Sequence, residues 1–428
     1  MSDAPQQGQP PRFEGLFADI PPELRLQRPL QLAPPLAESE LNAHLLDLAA
    51  PDTHLDEAVC FLGGGTYDHY VPAIVDAIAA SAGHALITPD APQPLLQTLY
   101  ELQTLFAPLA GLDLAAAALP DGPAALAEAV RTAAKATGRS QAVLARTVNP
   151  RYRAIARTLL APPLALDEVG YHGGVTRPGD LERLVSDQTA CVVVEQPNYF
   201  GCFEDIAALA AVAHRQGALC VVKVDPIALG LLQPPGALGA DIAVADAQCL
   251  GSRPRFGSDS LGLLACRGGL AHALAAWRVE RQADRFSSVG ATARPVRAEQ
   301  VIRPVVYLAA LGGEGLARVA SLSMAAAHAA QRGITAIEGF TLRFRVPFFK
   351  EFAVECDKAP DEVTETLLES NILGALPLQP DYPEMEQCAL FAATERRTRA
   401  DIDMLRHSLE LLAELGENAD FSLENDDA

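Results

Sequence analysis

Six short apolar runs through the middle of the chain constrain its fold more than any other feature. They are QAVLART (141–147), LALDEVG (164–170), ACVVVEQ (190–196), LCVVKVD (219–225), DIAVADA (241–247) and LGLLACR (261–267). Helical stretches such as RYRAIARTLLA (151–161) and EDIAALAAVAHRQG (204–217) lie between several of them. A strand covered on both faces reads as a continuous apolar run, and such runs alternating with helices predict a mainly parallel sheet. LGLLACR follows its predecessor after a polar loop rather than a helix, so an antiparallel course is expected for it. Two helices precede the runs: LLQTLYELQTLFAPLAG (95–111) and AALAEAVRTAAKATG (124–138). The second starts after Asp121-Gly122-Pro123 and stops at Gly138, the usual proline-in, glycine-out asymmetry.

The fold class expected is therefore α/β, with three parts. Residues 1–60 read as an N-terminal arm, with helical pieces in FEGLFADIPPEL and AESELNAHLLDLA around the extended QRPLQLAPPL. The arm has too little continuous pattern to fold alone and is expected to pack on a neighbouring domain or subunit. Residues 61–329 form the large domain, which closes with the helix GGEGLARVASLSMAAAHAAQRG. Residues 330–428 form a small α+β domain: strands in FTLRFR, EFAVEC and CALFAAT, helices in DEVTETLLESN and ADIDMLRHSLELLAELG, and an acidic tail.

Charge and composition exclude several function classes. The net charge of −21 would repel a phosphate backbone, so no nucleic-acid partner is expected. No stretch approaches the roughly 18–20 apolar residues of a membrane helix. MSDAPQQGQPP has neither the basic end nor the apolar segment of a secretory leader. The eight cysteines form no CxxC pair, and Cys191, Cys220 and Cys266 sit inside apparent strands. Buried reduced thiols and a cytoplasmic home are expected. The nine histidines form neither HxH nor HExxH, so no metal site is expected.

The stretch FLGGGTYDHYVPAIVDAIAA (61–80) tests for a phosphate loop and fails. Asp68 stands where a dinucleotide fingerprint needs its third glycine, and no G-x-x-x-x-G-K occurs. A Gly63-Gly64-Gly65 turn remains, presenting Tyr67, Asp68, His69 and Tyr70 ahead of a helix. It serves either a partner or an anion, or is a tight loop and nothing more. No G-x-S-x-G elbow exists; GSDSLG (257–262) reads as a polar loop.

In an open α/β sheet, ligands sit at the carboxyl ends of the strands. Two runs end in polar groups: VVEQPNYFG, with Asn198 and Tyr199, and VVKVDPIALG, with Asp225. An aspartate so placed can pair with the ring nitrogen of pyridoxal phosphate (PLP); an Asp-Pro turn is the plainer alternative. The lysine for the imine should lie one strand later, and Gln248 stands there. Glutamine forms no imine. The chain has four lysines. Lys223 shares a strand face with Asp225 and cannot easily reach the aldehyde on the far side of the ring; an ion pair is expected for it. Lys135 lies in an alanine-rich helix, and Lys350 and Lys358 belong to the small domain. The reading is a PLP-enzyme scaffold without its anchor.

FLGGGTYDHYVPAIVDAI, DGPAALAEA, VVVEQPNYFG, VDPIALGLLQPPGALGADIAVADAQCLG and TERRTRADID resemble subunit 1, the α half, of glycine dehydrogenase (decarboxylating). That family is the two-subunit P-protein of the glycine cleavage system. FADIPPELRLQRPLQLAPPLAESEL resembles its arm, and the likeness runs in order from about residue 14 to 415. The resemblance implies a fold-type-I PLP scaffold like the aspartate aminotransferases. It implies an α2β2 assembly whose β half carries the PLP lysine, while the α half binds none covalently and has no catalytic residue of its own. The reaction implied is glycine decarboxylation on PLP, with the aminomethyl group passed to lipoylated H-protein. Gln248 falls where the catalytic half has its lysine, and Asp225 where it has its pyridinium partner. Tyr67, Asp68, His69 and Tyr70 match the family's Y-D-H-Y and are expected at a subunit interface. Asn198, Asp225 and Gln248 are expected to shape a vestigial pocket.

The chain departs from the family at Asp90, which replaces a tyrosine, and at Pro123, which enters D-G-A-T-A-L. It departs again at Gly257-Ser258-Asp259 in place of G-G-P, and in a shortened segment over 278–303. The alternatives are a drifted paralogue acting as scaffold or regulator, and a stand-alone PLP enzyme such as an aminotransferase.

Overall fold

Strands built from Val, Ala, Leu and Cys leave no face suited to water, and the sheet they form is buried through its centre. The computed structural model describes residues 17–26, 28–52, 54–116, 119–160, 162–254, 260–290 and 295–423, with 415–423 described by backbone alone. Seven strands make the main sheet: β1 (Leu114–Ala115), β2 (Gln141–Ala145), β3 (Ala165–Val169), β4 (Thr189–Gln196), β5 (Leu219–Val224), β6 (Ile242–Asp246) and β7 (Gly262–Cys266). Their order is β1-β7-β6-β5-β4-β2-β3. β3, β2, β4, β5 and β6 run parallel, and β7 runs antiparallel to both β6 and β1. All six expected strands are present, including the reversed one. β1 escapes a sequence reading because two residues carry no period.

The flanking helices start and stop as their punctuation requires. The helix Gly122–Thr137 is capped by Asp121, whose carboxylate accepts from the Ala124 N–H at 2.7 Å, and it ends at Gly138 in the left-handed region (φ 69°).

The chain divides into two compact units, Met1–His54 and Leu55–Ala428. The first holds a 3-10 turn at Pro22–Leu24 and a helix at Glu38–Ala49, where Glu40 accepts from the Ala37 N–H at 2.9 Å. The second holds the main sheet and a four-stranded antiparallel sheet: β8 (Phe340–Leu342), β9 (Glu351–Cys356), β10 (Leu376–Pro377) and β11 (Cys388–Ala392), in the order β8-β9-β11-β10. Helices Pro360–Glu369 and Arg399–Leu423 follow the expected pattern, and β10 is an addition to it.

One helical element serves both cores. Ala298–Ile334 starts well before the expected helix and is broken at Gly312, whose φ of 60° is open to glycine and strained for other residues. By length and composition it could cross a membrane, which corrects the expectation that no stretch qualifies. Here it is a core element. Val301, Tyr307, Leu316 and Ala320 join the hydrophobic core that includes the main-sheet residues, and Ala327, Ala330 and Ile334 pack with Phe352, Phe391 and Leu405 in the second core.

The carboxyl ends of β4, β5 and β6 face a segment from the second sheet. Phe349 donates its N–H to the Gly201 carbonyl, in the turn after β4, at 3.0 Å. Gly201 has φ 80°, and a Cβ there would lie 1.8 Å from the Glu351 carbonyl oxygen. That approach brings Lys350 and Glu351 to the strand ends.

Candidate functional site

Asp225 follows β5, and Gln248 follows β6 by two residues. Both line one small cavity, together with Gly65, Tyr67, Lys223 and Asp246. Gln248 clamps the backbone of Tyr67: its Oε1 accepts from the Tyr67 N–H at 3.0 Å and its Nε2 donates to the Tyr67 carbonyl at 3.0 Å. The same Nε2 donates to the Ser252 carbonyl at 2.8 Å. Gln248 is thus a hydrogen-bonded strut, with both amide N–H groups and its carbonyl engaged.

Lys223 lies directly opposite Glu195 in the β4–β5 register, and the two form a buried ion pair. The ion pair expected for Lys223 therefore exists, and its partner is Glu195. Asp225 pairs instead with Lys350, whose Nζ lies 2.7 Å from Asp225 Oδ2. Burial alone would raise the Asp225 carboxyl. The Lys350 ammonium, helped by the Ile227 N–H, offsets burial, and the carboxyl lies below the usual carboxylate range.

Lys350, assigned from the sequence to the small domain, therefore reaches the ends of the main-sheet strands. It immediately precedes β9 of the second sheet, but its side chain is only 2% exposed and lines a small cavity with Tyr67, Asp225 and Glu351. The ammonium also donates to His69 Nε2 at 2.8 Å and sits 3.5 Å from the centre of the Tyr67 ring. An ammonium can only donate, so His69 Nε2 accepts and the Nδ1–H donates to Glu395 Oε2, 2.7 Å away. Glu395 also accepts from the Tyr70 N–H at 2.7 Å. Against the effect of burial, the hydrogen bonds from the His69 ring and from that N–H favour the ionised Glu395 carboxyl.

The glycine turn does hold an acidic group, and it is one of the chain's own. Glu351 Oε1 accepts from the Gly64 N–H at 2.6 Å, and Glu351 Oε2 accepts from the Tyr67 hydroxyl at 2.6 Å. A Cβ on Gly63 would lie 2.2 Å from that carboxylate. Burial raises the Glu351 carboxyl to about 7 in spite of both donors. Asn149 Nδ2 fastens the turn from the other side, donating to the Gly64 carbonyl at 2.9 Å.

The Y-D-H-Y segment faces mostly inward. Tyr67, Asp68 and His69 are buried, and Tyr70 alone is exposed, at 62%. Asp68 is gripped by Arg396 and by Arg397 (3.0 Å), and the Thr394 hydroxyl donates to the Asp68 carbonyl at 2.6 Å. Two segments more than 300 residues apart, YDHY and TERR, thus form one unit. Of the four side chains expected at an interface, Tyr70 is the one that reaches the surface of this chain.

Asn198 corrects a second expectation, since it does not line the cavity. Its Nδ2 donates to the Gly174 carbonyl (2.7 Å) and Glu204 Oε1 (2.9 Å), and its Oδ1 accepts from the N–H groups of Phe200 (3.0 Å) and Cys202 (3.1 Å). With every polar atom occupied, it shapes the turn after β4 and nothing else. Of the expected pocket residues, the structure brings Asp225 and Gln248 together. Lys350, Glu351 and Glu395 complete the site and were not foreseen. TERRTRADID stood out as a motif, but a single sequence does not reveal that it meets the glycine loop.

These residues do not fit PLP. The cavity beside Gln248 has a volume of about 20 Å³ and the one beside Glu351 about 10 Å³, room for about one water each. Pockets for small organic ligands run to about 300–1,000 Å³. Asp225 already has its cation. Among the described residues, no group of three or more His, Cys, Asp or Glu could hold a metal ion. Among the departures, Asp90 is an exposed acceptor for the Thr88 hydroxyl at 2.7 Å. Pro123 sits in the first turn of its helix, and 278–303 includes a hairpin, Arg278–Gln282 with Arg285–Val289. Asp259 lies outside the described residues.

A mixed seven-stranded sheet with an aspartate at one strand end and a second, antiparallel sheet over the strand ends defines a fold-type-I, PLP-transferase-like scaffold. Solved structures of a Burkholderia pseudomallei sphingosine-1-phosphate lyase (15% identical, TM-score 0.70, 96% of this chain and 98% of that one) and a Lactobacillus brevis glutamate decarboxylase (14%, 0.71, 91% and 96%) share this fold. A closer structural match is glycine decarboxylase, the P-protein of the glycine cleavage system, in inhibitor-bound form. It is 36% identical with a TM-score of 0.84, over 93% of this chain and 94% of that one. The family model for the glycine cleavage system P-protein matches residues 11–279. Relatives named probable glycine dehydrogenase (decarboxylating) subunit 1 are 38% identical in Desulforamulus reducens (91% of this chain, 93% of the relative) and 39% in Carboxydothermus hydrogenoformans (92% and 93%). The chain belongs to the glycine cleavage system P-protein family.

Proposed function

We propose that this chain is the half of a cytoplasmic glycine decarboxylase that lacks the PLP lysine, completed by a second subunit that carries PLP on a lysine. One observation carries the reading: Gln248 stands at the imine position with its amide committed to Tyr67 and Ser252. The name "subunit 1" on the relatives implies a second subunit. An α2β2 assembly, and transfer of the aminomethyl group to lipoylated H-protein, complete the proposal. Eight free thiols, seven of them buried, suit a reducing compartment.

In this reading the chain's residues do structural work for a neighbouring site. Lys350, His69 and Glu395 fix the segment that ends at Tyr70. Tyr70 begins an exposed apolar stripe that Ile74 (49%) and Ile78 (40%) continue along the helix Ala73–Ala80, while Val75 and Ala79 hold its inner face. A stripe of this kind suits the second subunit. Conservation of the family's length and order disfavours a drifted scaffold, and Gln248 disfavours a stand-alone enzyme.

The test is glycine-dependent exchange of carboxyl carbon with bicarbonate, with H-protein present. Neither chain alone should support exchange, and the mixture should restore it. Ile74→Glu should weaken co-elution with the second subunit at least tenfold while leaving the isolated chain folded. Exchange by this chain alone, or none on mixing, would overturn the reading.

A further inference from the structure

Lys350 immediately precedes β9 and Glu351 opens it, and their side chains take different partners. Lys350 meets Asp225 and His69; Glu351 meets Gly64 and the Tyr67 hydroxyl. A cation and an anion from one dipeptide thus take the charged positions at the strand ends. We propose that Lys350-Glu351 is a built-in occupant of the vestigial cofactor pocket, with Lys350 as the permanent counter-ion of Asp225 and a positioning residue for the segment from Tyr67 to Tyr70.

A buried aspartate needs a cation or it destabilises the fold. A cofactor-bearing chain can supply that cation as a protonated ring nitrogen. This chain supplies it covalently, as a side chain with one polar partner on each side. The partners extend the effect: Lys350 orients His69, His69 orients Glu395, and Glu395 takes the Tyr70 N–H. Tyr67 is fixed from three sides, by Gln248 at its backbone, Glu351 at its hydroxyl and the ammonium at its ring face. Pocket occupancy and loop position are therefore one event, with no ligand required. The inference rests on this geometry and not on the identity of the partner subunit.

The test uses the full chain without the second subunit, so its failure is distinct from failure of the assembly reading. Lys350→Ala should speed amide exchange at Tyr67 and Tyr70 at least tenfold, while amides of β7 keep their wild-type rates. Propylammonium should slow that exchange again, and propanol, of similar size and uncharged, should not. Wild-type chain incubated with excess PLP should retain none after gel filtration. Unchanged exchange in the variant, equal rescue by propanol, or PLP retained by the wild type would overturn the proposal. Should Lys350→Ala fail to fold, the double variant D225N/K350M removes both charges. Its recovery of folded chain supports the counter-ion role, and its failure to recover overturns it.

Discussion

Asp68→Ala should destabilise the unit Leu55–Ala428 by on the order of 3–5 kcal/mol, the usual cost of orphaning a buried charge. Asp68 is buried and takes two guanidinium groups. Arg396 is partly exposed and can turn to water, but the Arg397 side chain is only 5% exposed. Its Nε already lacks a partner, so Asp68 is its main compensation. Without the carboxylate a buried cation remains beside the Y-D-H-Y segment. The check is urea unfolding of the single variants and of D68A/R397M. The double variant should recover most of the loss, because it removes both charges. Additive losses would show that the pair is not coupled.

Glu351→Gln should make stability less dependent on pH, with a sign opposite to that of a salt-bridged carboxylate. Burial raises the folded Glu351 carboxyl from 4.5 to about 7. As pH rises, the unfolded chain loses this proton first, so folding is penalised. The penalty is absent below about 4.5, grows through the window and is complete above about 7. A rise of that size corresponds to about 3 kcal/mol. Glutamine keeps an acceptor for Gly64 or Tyr67 and has no proton to lose. The wild type should therefore lose about 3 kcal/mol relative to the variant across the window. Parallel stability–pH curves would show that Glu351 ionises at its ordinary value.

Most of the fold could be read from the sequence because strands buried on both faces write themselves as apolar runs. The antiparallel course of β7 was legible from the absent helix before it. The two-residue strands and the early start of Ala298–Ile334 were not, since neither alters a local period. The site was half legible. Gln248 and Asp225 follow from their places at the ends of successive strands. Lys350 and Glu351 reach the pocket from the start of β9, a contact set by the packing of Gly201 against Glu351 rather than by any nearby pattern, and Glu395, beyond β11, meets His69. Asn198 misled because a turn asparagine and a pocket asparagine look alike until its partners are known.

The central claim is that no amine of this chain captures a pyridoxal aldehyde. Borohydride reduction of the assembled complex, followed by peptide mapping, tests it most directly. One reduced pyridoxyl adduct is expected, on a lysine of the second subunit. An adduct on Lys135, Lys223, Lys350 or Lys358 would contradict it.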